Sequence, residues 1–181
     1  MTLPPFRLQR RPCASAGRET LRFPLPVPSR LAVIDAEFHV AAHMRAFDSS
    51  DIRGLVGYAP EAMALPLDAA LSLADRKLRG LLELSSLKFA IVVFSSVDLN
   101  GSFEAHHRDL LWKAFGLPVF EQLRGGNGKV IARECEVHNG LHLDTNSDLS
   151  SAEIITGPCD CGLETPRLRR RVAARKRAAA A

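Results

Sequence analysis

The sequence predicts an α/β fold, in which a partial parallel sheet with flanking helices is followed by a small β unit in the C-terminal third. Residues 89–120 follow the order apolar strand, helix, strand, which is the order of a parallel crossover. Residues 129–155 offer only short strand segments separated by turns. With 181 residues, 46% of them hydrophobic and 24% charged, the chain can bury a core of ordinary size.

The first thirty residues are expected to form a disordered leader. They contain six arginines and six prolines, and proline removes backbone donors and biases its neighbours away from helix. The Arg-rich, acid-poor composition is also found in organelle transit peptides, and a wrongly chosen start codon would leave a similar segment. A solvated tail is the interpretation we favour.

The segment from Leu31 to Phe47 is apolar and carries two histidines. His39 and His43 are four residues apart, so both would lie on one face if the segment were helical. We interpret them as surface or core histidines rather than a metal pair, because no third ligand is near in sequence.

Two segments in the middle of the chain predict a helix and a strand. Asp68 is a candidate N-cap for a helix whose apolar residues recur at steps of three and four; these residues are Leu71, Ala74, Leu78 and Leu81. The run from Phe89 to Phe94 is apolar, rich in β-branched residues and bounded by Ser and Asn-Gly, which predicts a buried central strand.

A second helix is predicted after Asn100 and Gly101. Gly116 stands at its expected C-cap and Pro118 follows closely, so the helix should end there. A strand then begins at Val119. The apolar face of this helix is formed by Leu110, Leu111, Ala114 and Phe115.

The C-terminal third is predicted to be a small β unit after a glycine-rich turn. Gly125 to Gly128 lead into a strand over Lys129–Cys135, and two more short strands are expected at 141–143 and 154–155. The glycine cluster is not a phosphate loop, because no Lys-Ser/Thr pair follows it.

Cysteines and histidines in this unit have the spacing of a metal site. The pattern is Cys135-x2-His138-x3-His142, then sixteen residues, then Cys159-x-Cys161. It supplies five ligands where zinc needs four, so one histidine is spare. We favour zinc over a metal-free cluster of reduced thiols, and over a redox pair of Cys159 and Cys161, because no helix begins there to depress a thiol pKa.

Three segments resemble a known family. "WKAFGLPVFEQ", "ARECEVHNGLHL" and "GPCDCGLETPRL" are similar to the later part of the large N-terminal domain of phenylacetate–CoA ligases and related adenylate-forming proteins. The resemblance covers about residues 89–167. It implies a structural zinc held by Cys135, His142, Cys159 and Cys161, with His138 as the spare or alternative ligand.

The same resemblance argues against catalysis. No Ser/Thr/Gly-rich loop resembles the one with which such ligases hold ATP phosphates. Leu123, Arg124 and Asn127 stand where the family has an aromatic-Gly-x-x-Glu motif for adenine and Mg²⁺. We therefore expect no catalytic residue, no ATP and no CoA.

These observations predict a non-catalytic zinc protein with a binding or scaffold role and an unidentified protein partner. One alternative is a component of an acid–CoA ligase that needs a partner chain. The other is a weak nucleic-acid binder that uses the basic, Ala-rich tail over 167–181. Against it, the chain lacks the interleaved aromatic residues that stack on bases, and it has one Trp and one Tyr.

The predicted organisation is a single α/β domain over 31–166, with the zinc-binding β unit over 128–166. The longest apolar run is far too short to cross a bilayer. Three of the four cysteines share one segment with two histidines, which favours metal binding in a reducing compartment and leaves Cys13 over. We expect a cytoplasmic protein without membrane contact.

Overall fold

The computed structural model describes residues 28–35, 43–96, 103–125, 129–144 and 153–169. None of the helices in these ranges is long and apolar enough to cross a membrane. In chain order the elements are β1 (Leu31–Ile34), β2 (Met44–Phe47), α1 (Ile52–Tyr58), β3 (Ala62–Pro66), α2 (Leu67–Leu78), β4 (Ile91–Ser96), α3 (Ala105–Phe115), β5 (Val119–Arg124), β6 (Val130–Glu134), β7 (Leu141–Leu143), β8 (Glu153–Ile155) and β9 (Arg167–Arg169).

The described strands form one mixed sheet in the order β2-β1-β3-β4-β5-β6-β7-β9-β8. The strands from β2 to β5 run parallel, and those from β5 to β8 run antiparallel. The predicted α/β class and the parallel crossover from β4 through α3 to β5 are confirmed. The C-terminal β unit continues the same sheet rather than forming a separate layer.

The central strands are buried, and helices cover one face of the parallel half of the sheet. Every residue of β4 except Ser96 is buried, as its continuous apolar sequence predicts. Ile91 and Val93 face the main core, which α2 and α3 also line. Val92 lies between these two residues on the strand, so its side chain points to the opposite face of the sheet. There it packs in a second cluster with Leu31 and Phe94.

The helix predicted from Asp68 exists, but its boundaries and buried face differ from the prediction. Pro66 occupies the N-cap and Asp68 lies within the first turn, where the helix dipole favours a carboxylate. The helix ends at Leu78, and Leu78 and Leu81 are 43% and 64% exposed. Its buried residues are Ala69, Ala70, Leu73 and Ala74, so small side chains let α2 lie close to the sheet.

The prediction for α3 is confirmed at its C-terminal end. Gly116 has φ +66° and its N–H bonds to the carbonyl of Trp112, a left-handed cap that glycine adopts without strain. Leu111 and Ala114 are buried, whereas Leu110 is 37% exposed. The buried face is therefore narrower than the predicted one.

His39 and His43 would share one face only if their segment were helical, and the described part of that segment is not helical. Leu31–Ile34 and Met44–Phe47 are parallel strands in register with each other. His43 immediately precedes β2, and its carbonyl accepts a hydrogen bond from the Leu31 N–H at 3.0 Å. His39 lies outside the described residues.

The sheet and its contacts extend past both expected boundaries. Ser29, expected in the leader, donates its Oγ–H to Glu61 at 2.7 Å, and the Arg30 carbonyl accepts the Glu61 N–H. At the other end, Arg167–Arg169 form β9 between β7 and β8, so these residues belong to the sheet. Cys13 and the rest of the basic tail lie outside the described residues.

Candidate metal centre

Four side chains at the antiparallel end of the sheet converge on one point. They are Cys135, His142, Cys159 and Cys161, and their ligand atoms all lie within 4.8 Å of one another. The sulfurs of Cys135 and Cys159 are 3.9 Å apart, and Cys161 Sγ lies 3.4 Å from His142 Nε2. A group of this composition and spacing could bind a metal ion.

Sheet register places the first two of these residues. Cys135 directly follows Glu134, the last residue of β6, and His142 is the central residue of β7. The two strands are antiparallel, with Glu134 opposite Leu141 and Arg133 opposite His142. The short β6–β7 connection therefore returns the histidine to the level of the cysteine.

A tight turn before β9 places the other two cysteines. The Gly162 N–H bonds to the Cys159 carbonyl at 2.8 Å, and the Cys159 N–H bonds to the Leu163 carbonyl at 3.0 Å. Gly162 has φ +84°, a conformation that costs glycine little. The turn directs both sulfurs of the Cys-x-Cys segment toward the strands.

The protonation of these groups is governed mainly by burial and local hydrogen bonds. Burial raises the pKa of the Cys135 thiol to about 11. The backbone N–H of Cys161 is the largest influence on Cys159 and lowers its thiol pKa. Burial, followed by the charge of Arg167, lowers the pKa of His142, which favours the neutral imidazole that a metal requires.

Thr165 fixes the orientation of the His142 ring. Its Oγ1 lies 2.8 Å from His142 Nδ1, which leaves Nε2 directed toward Cys161. A ligating histidine is commonly held through its second nitrogen in this way. Sequence reasoning missed Thr165, although it lies only four residues beyond Cys161.

His138, the alternative ligand, is not part of this group. Its ring stacks on Phe120 with centroids 5.1 Å apart, and its Nδ1 lies 3.0 Å from a Glu134 oxygen. Glu134 also accepts two hydrogen bonds from Arg108, at 2.9 and 3.0 Å. This ion pair joins α3 to β6, and no sequence pattern pointed to it.

Two of the positions expected to replace a nucleotide motif lie at the end of β5. Leu123 is buried in a small cluster with Ala132, Leu141 and Leu168. The guanidinium of Arg124 lies 4.0 Å from the centroid of the Phe94 ring. Both side chains contribute to packing within the domain. Asn127, the third position, lies outside the described residues.

Comparison with known proteins shows a likeness to solved structures but not to sequence families. No family model and no curated protein matches the sequence. A crystal structure of an open conformation of 2-hydroxyisobutyryl-CoA ligase, in complex with 2-HIB-AMP and CoA, matches with a TM-score of 0.58 and 14% identity. The chain resembles part of an adenylate-forming CoA ligase in fold. The match covers 78% of this chain and 44% of the ligase chain, so this chain spans less than half of that enzyme.

Proposed function

We propose that this chain is a non-catalytic, zinc-stabilised relative of the large domain of adenylate-forming ligases, and that it acts as a binding or scaffold protein. The observation that carries the proposal is the convergence of three cysteines and one histidine within 4.8 Å. Zinc fits this donor set, because it takes four sulfur and nitrogen ligands in a tetrahedron.

The distance between two of the sulfurs supports a tetrahedral ion. Zinc–sulfur bonds of about 2.3 Å at tetrahedral angles separate two sulfurs by roughly 3.8 Å, and the Cys135 and Cys159 sulfurs are 3.9 Å apart. Four protein ligands fill the coordination of zinc, which is typical of structural rather than catalytic sites. The ion would tie the end of β6, the middle of β7 and the turn before β9 together.

A binding role without acyl-adenylate chemistry is favoured by the end of β5. Leu123 and Arg124 are used for packing, where the ligase motif would present an aromatic ring and a glycine to the nucleotide. An arginine at a position where the backbone must approach a ligand also adds bulk that glycine lacks. These residues leave the domain with a scaffold but without that nucleotide contact.

The likeness to a CoA ligase favours a second candidate, a ligase component that works with another polypeptide. The solved ligase carries 2-HIB-AMP and CoA, and a chain whose match covers 44% of the ligase chain could share a site with a partner. Saturable binding of ATP by this chain would support that candidate.

Metal analysis and ATP binding together test the proposal. We expect protein purified without chelator to contain about one zinc per chain, and ATP neither to raise its melting temperature nor to exchange pyrophosphate in the presence of aryl or acyl acids. Protein that refolds fully without metal and keeps its melting curve would contradict the zinc role. Saturable ATP binding below millimolar concentration would instead promote the ligase component.

A further inference from the structure

Arg167 is a buried cation beside the cysteine cluster. Only 5% of its surface is exposed, and arginine is rarely so buried without an anion. It is the β9 residue directly opposite His142 in the antiparallel pairing with β7. Side chains of directly opposed residues lie on the same face of a sheet, so Arg167 and the histidine share the face of the metal centre.

The guanidinium holds the two loops that carry the centre. Its two terminal nitrogens donate to the carbonyl of Asn139, at 3.2 Å, and to that of Pro158, at 3.3 Å. Asn139 lies in the β6–β7 connection and Pro158 immediately precedes Cys159. The cation is thus placed against the backbone of the turn that supplies two sulfurs.

Within the described part of the chain, Arg167 forms no ion pair, and its Nε has no hydrogen-bond partner. Two nearby arginines, in contrast, each form an ion pair with a carboxylate. Arg133 pairs with Asp144 at 3.2 Å, and the exposed Arg169 pairs with Glu153 at 3.0 Å. A buried guanidinium without an anion is strongly destabilising, so the charge of Arg167 requires a negative group in its surroundings.

The metal centre can supply that negative charge. A divalent ion with three thiolates and a neutral imidazole carries one net negative charge, because three thiolate charges exceed the two of the metal. The hydrogen bond from the guanidinium to the Pro158 carbonyl places the positive charge next to the turn that begins at Cys159.

We propose that Arg167 is the counter-ion of the metal–thiolate group and stabilises a divalent ion that is bound by all three cysteines as thiolates. This inference rests on the proposed zinc site. It assigns to the first residue of the expected basic tail a role inside the domain.

Zinc affinity, measured by competition with a chromophoric chelator, tests the charge. We expect Arg167→Gln to weaken zinc binding by about tenfold or more, in the range seen when the outer partners of metal ligands are removed. Arg167→Lys keeps the charge and is expected to recover most of that loss. The matched control is Arg169→Gln, which removes an exposed arginine from the same strand and should bind zinc like the wild type.

The melting temperatures of the metal-free proteins distinguish two roles for Arg167, a counter-ion for the metal group and a purely structural clamp. Without the metal, Arg167 has lost its anion, so Arg167→Gln is expected to melt no lower than the wild type in chelator. A clamp that acts only through the two carbonyls predicts destabilisation with and without metal, and would overturn the inference. If Arg167→Gln does not fold, Arg167→Lys decides: affinity close to that of the wild type supports the charge, and a tenfold loss contradicts it.

The outcomes for the two proposals are distinguishable. A wild-type protein that binds zinc no better than Arg167→Gln, with zinc present in both, would overturn the role of Arg167 alone. A wild-type protein without zinc affinity would overturn the zinc site and, with it, the counter-ion.

Discussion

His142 Nε2 and Cys161 Sγ lie 3.4 Å apart, although nineteen positions separate the two residues. The contact exists because β7 pairs with β9, and the turn before β9 carries Cys161 back over β7. The same ring is held from its other side by Thr165. His142 is therefore oriented for a role that His138, stacked on Phe120, cannot share.

The two histidines provide a direct test of this assignment. We expect His142→Ala to lower zinc affinity by more than about tenfold, since one of four ligands is lost, and His138→Ala to keep the wild-type affinity. Zinc binding is measured by chelator competition on both purified variants. Equal retention of zinc by the two would show that the wrong histidine has been assigned.

The cysteines should differ according to their place in the cluster. Cys135→Ser and Cys159→Ser are expected to purify with little or no zinc and to melt well below the wild type, because structural zinc contributes an apparent free energy of about 10–16 kcal/mol. Cys13→Ser, which alters the cysteine outside the pattern, is the control and should retain the metal. Zinc in Cys135→Ser at the wild-type level would exclude this cysteine as a ligand.

Two truncations test where the domain ends. A chain cut after Pro166 loses β9 and its pairing with β7 and β8, so it should lose zinc and melt at lower temperature. A chain cut after Arg169 keeps the strand and should match the full-length protein in both respects. If the shorter chain retained its zinc and its melting temperature, the strand would be dispensable and the domain would end at Pro166.

Glu61 should make folding stability depend on pH in acid. Hydrogen bonds from Lys88 and Ser29 lower the pKa of its carboxyl from 4.5 to about 2, with Lys88 Nζ at 2.8 Å. Because the folded protein has the lower pKa, this stabilisation is complete above about pH 4.5 and is lost as the pH falls toward 2.

Urea unfolding between pH 5 and about pH 2 checks this window. Glu61→Gln is expected to flatten the fall in unfolding free energy seen in the wild type. Glu83→Gln, which removes an exposed carboxylate from a 3.5 Å pair with Lys77, controls for loss of a charge. An unchanged slope in Glu61→Gln would refute the assignment.

Adjacent leucines of α3 should respond differently to truncation. Leu111 is fully buried in the main core, whereas Leu110 is 37% exposed. Leu111→Ala is expected to lower the unfolding free energy by about 2–5 kcal/mol through lost burial and a residual cavity, and Leu110→Ala by about 1 kcal/mol or less. Unfolding free energies are measured by urea denaturation. Similar losses for both variants would mean that α3 is rotated about its axis and buries a different face.

Local sequence determined the elements whose signals lie within a few residues. The apolar run that contains β4 predicts a buried strand by itself, and Gly116 marks the end of α3 because only a left-handed residue completes that cap. The cysteine and histidine spacing likewise indicated a metal site and its candidate ligands. The resemblance to the ligase family, rather than spacing, preferred His142 over His138.

Tertiary structure decided what depends on strands far apart in sequence. The prediction from Asp68 and the leucine stripe gave the wrong buried face for α2. Small alanines of the helix are buried instead, and Leu78 is exposed. Arg167 begins a segment with the composition of a solvated tail, yet its cross-strand pairing with His142 buries it beside the cysteines. A charged residue carries no local signal for burial. Its environment is set by the strands and loops that surround it, and these meet only when the sheet has formed.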